Sequence, residues 1–132
     1  MVNVLETRNF PVQELRLLAS PRSAGKRVDG HLVEAIREEA FEGCDIAIFD
    51  TPDEVAREWV PQATARGCVV IDNSAAFRLD REVPLVIPEI NAHRILDRPR
   101  NIIANPNCTT ATFLVPLAPL HRAFGLRWAV VC

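Results

Sequence analysis

The segment Asn105-Pro106-Asn107-Cys108-Thr109-Thr110 places a thiol where the apolar run Ile102-Ile103-Ala104 gives way to a helical stretch. The first turn of a helix leaves backbone N–H groups unpaired and carries the positive end of the macrodipole, which favours a thiolate and any oxyanion formed beside it. Nucleophilic attack by Cys108 is the chemistry such a position suits. The alternative is a small residue buried at a helix start. Against it stand the amide and hydroxyl groups of Asn105, Asn107, Thr109 and Thr110, each of which needs a partner if buried. A polar pocket accounts for them better.

Two further groups carry charge that could meet a ligand. Arg78 follows the apolar Phe77 in a loop beyond a strand, and is either a solvated charge or a bidentate clamp for phosphate or carboxylate. Arg22, Ser23 and Lys26 offer two cations and a hydroxyl shortly after another strand, a set suited to a phosphate on a nucleotide ribose. The histidines supply no obvious base. His121 lies on the same predicted helix as Cys108, and at about 1.5 Å rise per residue the two stand roughly 20 Å apart. His31 and His93 fall in polar segments and read as solvated.

These residues must be positioned by short β-branched runs that alternate with helical stretches, the pattern of an α/β domain with a mainly parallel sheet. A helical fragment over 2–8 precedes a strand over 15–19 and a tight, basic loop over 20–26, and the segment 28–41 is ambiguous. A strand over 46–49 meets Asp50-Thr51-Pro52-Asp53, where Thr51 or Asp53 is expected to cap a helix over 54–66 that Gly67 stops. The strand 69–71 delivers a loop over 72–80 at its carboxyl end, where open α/β sheets bind ligands. A short extended piece covers 85–87, and the strand 102–104 delivers Cys108. A helix over 110–124 ends at Gly125, with a kink expected from Pro116 and Pro119. A last strand is predicted over 127–131.

Bulk properties narrow the function classes. The 132 residues amount to one domain at most, with a net charge of −2, 48% hydrophobic and 24% charged residues. That balance lacks the basic excess that binding a phosphate backbone requires, so no nucleic-acid partner is expected. No apolar run approaches the ~20 residues of a membrane span, and residues 1–6 do not resemble a signal peptide, so a cytoplasmic protein is expected. The cysteines at 44, 68, 108 and 132 form no metal-ligand spacing, and no metal is expected. Cys44 and Cys68 read as small core residues. Cys132 suggests no role.

Four blocks resemble the aspartate-semialdehyde dehydrogenases. They are Arg8-Asn9-Phe10-Pro11 with Leu15 to Lys26, Val70 to Arg78, Val83 to Asn91, and Ile102 to Thr110. The resemblance implies a Rossmann-like α/β fold over 1–132, an NAD(P)-binding domain, and an NADP-dependent oxidoreductase interconverting aspartyl phosphate and aspartate semialdehyde on the way to lysine, threonine and methionine. It implies that Cys108 is the nucleophile and forms a thioester, that Asn107 orients the substrate and that Arg78 holds its phosphate. Ser20, Arg22 and Ser23 are implied contacts of the adenosine 2′-phosphate, and Asp50, Thr51, Asn73 and Ser74 line the implied cofactor groove.

The family pattern also includes a first strand with a Gly-rich turn, and a C-terminal catalytic and dimerisation domain supplying a His and an Arg. These 132 residues contain neither, so a cofactor-binding part shortened at both ends, without a general base of its own, is expected. Two other readings stand beside it. One is a non-catalytic binding or regulatory module that forms a homo-oligomer or pairs with a full-length relative. The other is an enzyme like the reductase of N-acetylglutamyl phosphate, which shares the nucleophilic cysteine.

Overall fold

The structure, a computed structural model, describes residues 2–131. Cys132 lies outside the described residues. The elements run α1 (Val2–Thr7), β1 (Leu17–Ala19), β2 (Arg27–Val28), β3 (His31–Ala35), β4 (Ile46–Phe49), α2 (Asp53–Ala65), β5 (Val69–Asp72), α3 (Pro88–Asn91), β6 (Ile102–Ala104) and α4 (Cys108–Phe124). Turns of 3₁₀ helix cover Glu38–Phe41 and Ala92–Leu96. The architecture is the expected α/β arrangement with mainly parallel pairing, divided into two compact units, Met1–Glu42 and Gly43–Cys132.

In the first unit β1 pairs in parallel with β3, Leu17 opposite Val33, and β2 pairs antiparallel with β3. The segment that periodicity left ambiguous therefore holds a two-stranded antiparallel ladder and a short 3₁₀ turn. Asp29 and Gly30, both at positive φ, link β2 to β3, the conformation that two-residue hairpin turns require. His31 is half-buried in β3 rather than solvated. Arg16 Nη1 donates to the carbonyls of Ala40 and Glu42 at 3.1 and 2.8 Å, closing the end of this unit onto the approach to β1.

The second unit carries the parallel sheet β4-β5-β6. Ile46 lies opposite Val69, and Val70 opposite Ile102. β6 is buried throughout, which fits its unbroken apolar sequence. Helix α2 packs on β5 and β4 through Ala56, Val60 and Ala63, all fully buried at helical spacing. Gly67, at φ 89°, follows the helix as the chain turns into β5. Neither Thr51 nor Asp53 caps α2. Pro52 occupies the cap position with extended backbone and no side-chain hydrogen bond, and the Asp53 carboxylate is spent elsewhere.

Helix α4 runs unbroken from Cys108 through Pro116 and Pro119 to Phe124, and Gly125 ends it at φ 67°. None of its residues is buried. Ala111, Leu114, Leu117 and Ala118 form a half-buried stripe. The expected strand over 127–131 is not formed. Trp128 is 80% and Val130 73% exposed, and no described strand pairs with this segment. An alternating apolar pattern makes a strand only where a neighbour accepts its backbone groups. Among the described residues no helix is long and apolar enough to cross a membrane, and no cluster of His, Cys, Asp or Glu could hold a metal ion.

Candidate active site

Because β4, β5 and β6 are parallel, the loops that follow them emerge at one edge of the sheet. Asp50 and Thr51 follow β4, Asn73, Ser74 and Arg78 follow or lie just beyond β5, and Asn105, Asn107 and Cys108 follow β6. The sequence-predicted residues of the second unit thus share the carboxyl edge, where an open α/β sheet presents ligand-binding loops.

The loop after β5 is locked from below. Asp72 is fully buried, and its carboxylate accepts from the Ser74 backbone N–H at 3.1 Å and from Ser74 Oγ at 2.7 Å. Ser74 Oγ in turn accepts from the Ala76 N–H at 3.1 Å. This chain of side-chain-to-backbone bonds is an Asx-type turn, which sets the direction of the loop. Ser74 is 6% exposed and held in that turn.

Two longer connections join the loops. The Asp53 carboxylate accepts from the Ala75 N–H at 2.8 Å, tying the first turn of α2 to the loop after β5. Asn105 continues the β5-β6 ladder by donating its N–H to the Asp72 carbonyl at 2.8 Å, and its Nδ2 donates to Asn73 Oδ1 at 3.0 Å. Sequence reasoning assigned no role to Asp53 beyond capping, and none to Asp72. The Asp72-Asn73-Ser74 spacing carries an Asx-turn signal, but nothing local announces a bond between residues 53 and 75.

Arg78 is half-buried and bridges the loops. Its Nε donates to the Asn105 carbonyl at 2.9 Å and its Nη2 to the Asn73 carbonyl at 2.8 Å. Nη1 has no partner among the described residues. The guanidinium is therefore neither freely solvated nor empty-handed: two donors fix its plane and the remaining N–H groups can meet an anion.

Cys108 occupies the first position of α4 and is exposed. Asn107 caps the helix, its Oδ1 accepting from the Thr109 N–H at 2.9 Å, while the Ala111 N–H reaches the Asn107 carbonyl at 2.9 Å. The N–H groups of Cys108 and Thr110 have no partner among the described residues, which leaves donors beside the thiol. Asn105, Asn107, Thr109 and Thr110 are exposed, so their polarity is met by an open surface and not by burial. Beside them an open groove of about 480 Å³ runs past Ile87, Glu89, Asn105, Thr112 and Val115. His121 lies on α4 with Cys108, as the spacing predicted, and both it and His93 are exposed.

Asp50 is exposed at the end of β4, and Thr51 Oγ1 is buried without a hydrogen-bond partner among the described residues. An orphaned buried hydroxyl at this edge is costly unless a ligand group meets it. In the first unit, the loop after β1 is built from tight turns, with Ser23 N–H on the Ser20 carbonyl at 2.9 Å and Gly25 N–H on the Val33 carbonyl at 2.8 Å. Ser20 and Arg22 are exposed and Ser23 is half-buried, and their side chains have no hydrogen-bond partner among the described residues. The other two described thiols stand apart from this chemistry. Cys68 is fully buried, and desolvation, reinforced by nearby Cys44, pushes its thiol up from the ordinary range. Cys44 is half-buried.

Residues 1–98 match the family described as semialdehyde dehydrogenase, NAD binding domain. The chain is 48% identical over 131 residues to an aspartate-semialdehyde dehydrogenase of Streptomyces akiyoshiensis, covering 99% of this chain and 39% of that protein. Among solved structures it superimposes with a TM-score of 0.85 and 46% identity on aspartate semialdehyde dehydrogenase II from Vibrio cholerae complexed with ASA, covering 95% of this chain and 42% of that one. It also resembles the Candida albicans enzyme solved with NADP, at a TM-score of 0.72 and 26% identity, covering 93% and 43% of the two chains. The chain spans about two fifths of the length of the curated relatives it matches.

Proposed function

Because the chain belongs to the semialdehyde dehydrogenase family through its NAD-binding domain, we propose that it forms the cofactor-binding and nucleophile-bearing part of an aspartate-semialdehyde dehydrogenase. The observation that carries this reading is the bond from Arg78 Nε to the carbonyl of Asn105, three residues before Cys108. It joins a cation with N–H groups to spare to the loop that presents a thiol at a helix N-terminus.

In this reading the substrate is aspartyl phosphate. The Cys108 thiolate attacks the acyl carbon, the C–S bond of a thioester forms, and the C–O bond to phosphate breaks with the electron pair leaving on phosphate. The unpaired N–H groups of Cys108 and Thr110 face the developing oxyanion. Arg78 holds the leaving phosphate with the N–H groups its two backbone bonds leave over. Asn107 orders the first helical turn through Thr109 and orients substrate beside the thiol.

The residues present fit NADP at the carboxyl edge, where the unpartnered Thr51 hydroxyl, with Asp50, Asn73 and the loop fixed by Ser74, would line its groove. Within the first unit, taken by itself, Ser20, Arg22 and Ser23, with free side chains among the described residues, suit a phosphate group. When bound, the cofactor supplies hydride chemistry.

Addition of aspartyl phosphate to the chain is expected to release phosphate and leave an aspartyl mass adduct on Cys108 that Cys108→Ala lacks. Phosphate release without an adduct, or the same adduct in Cys108→Ala, would overturn the reading.

A further inference from the structure

We propose that Arg100 is a positioning residue for Arg78, an assignment that rests on the reading of Arg78 as the phosphate-holding group. Arg78 sits in a reverse turn closed by the Asp80 N–H on the Phe77 carbonyl at 3.1 Å. Arg100 holds both corners of that turn. Its Nη1 is ion-paired with Asp80 Oδ2, and its guanidinium carbon lies 5.7 Å from the centroid of the Phe77 ring. Phe77 is 7% exposed, so the ring over which the Arg100 charge lies is anchored in the core. The ion pair is itself partly sheltered, with side chains 36% and 28% exposed.

The position of Arg100 in the chain gives these contacts their consequence. It stands two residues before β6, the buried strand that leads to Asn105 and Cys108. The turn bearing Arg78 is therefore fastened to both ends of one strand: through Arg100 before β6, and through the Asn105 carbonyl after it. The bonds to the Asn105 and Asn73 carbonyls set the plane of the guanidinium but not the path of the turn that carries it. With the attachment through Arg100, the backbone from which Arg78 departs is fixed relative to the nucleophile. Arg suits this task better than Lys, because its delocalised charge can serve a carboxylate and an aromatic ring at once.

The test uses the chain itself, with inorganic phosphate as probe and the side-chain Nε–H resonance of Arg78 as a second, ligand-free readout. Arg100→Met is expected to weaken phosphate affinity about tenfold and to speed solvent exchange of the Arg78 Nε–H by at least as much. Arg100→Lys, which keeps the charge facing Asp80, should restore part of both. Val60→Ala, a core change that destabilises the sheet without touching the turn, should move neither. Unchanged Nε–H exchange in Arg100→Met and Arg100→Lys would overturn the assignment. If phosphate does not bind, or binds equally to Arg78→Lys, the phosphate reading of Arg78 fails, and the Nε–H exchange still decides whether Arg100 positions it.

Discussion

Asn73 and Asn105 meet amide to amide across the carboxyl edge of the parallel sheet, Nδ2 of the second donating to Oδ1 of the first at 3.0 Å. The same two residues offer their carbonyls to Arg78. One pair of asparagines thus sets both the spacing of two loops and the plane of the cation between them.

Asn105→Ala should remove the amide bridge while leaving the backbone bonds in place. A loss of about 1 kcal/mol in urea unfolding is expected, the usual net worth of one such bond. Acylation of Cys108 should slow as well. Unaltered stability together with an unaltered acylation rate would show that the bridge does not hold the loops.

Asp72 should prove far less tolerant. Its substitution by Ala strands the Ser74 N–H and hydroxyl in a buried turn, and a cost of roughly 1–3 kcal/mol is expected for leaving such groups unsatisfied. The urea midpoint should fall with the slope retained, whereas a change within error would mean that the turn finds other partners.

Cys108 is exposed at a helix start, Cys68 is buried and Cys44 is half-buried. Iodoacetamide at neutral pH should therefore label Cys108 first, with Cys68 reacting only as the protein opens. Mass spectrometry of digests taken over time gives the order, and equal rates at all three positions would contradict it.

The buried Cys68 thiol titrates higher in the folded chain than in the unfolded one, chiefly through desolvation. Its contribution to stability is fully present below the ordinary thiol range and is lost as pH rises from that range through the raised value of the folded chain, because over that interval the unfolded chain has released a proton the folded chain keeps. Melting temperatures measured from neutral to alkaline pH should fall less steeply for Cys68→Ala than for the parent chain. Parallel curves would remove this residue from the alkaline response.

The strands 46–49 and 102–104 were legible because short β-branched runs flanked by polar loops have few other uses in an α/β chain. The helix of the thiol was legible over 110–124 from its helix-compatible sequence and Gly125, whereas its start at Cys108 and the cap by Asn107 were not. Less could be read where long-range pairing decides. His31 to Ala35 forms a strand because β1 and β2 lie on either side of it, a fact absent from its own periodicity. Residues 127–131 have a better β pattern but no pairing strand among the described residues, and stay irregular. The chemistry of single side chains was legible by type and spacing, as for Cys108 and Arg78. Their commitments were not, since the bonds from Arg78 to residues 73 and 105, and from Asp53 to Ala75, depend on the three-dimensional register of three strands.

The absence of any buried residue in α4 separates the thiol from the cooperative heart of the sheet. A helix whose packing face is only half-buried opens at lower free energy than a sheet whose β6 is buried throughout. Limited proteolysis should cut α4 while circular dichroism still reports an intact sheet. A denaturation midpoint for the sheet is then no guide to the integrity of the nucleophile, and a substitution can silence Cys108 by loosening its helix without registering as an unstable protein.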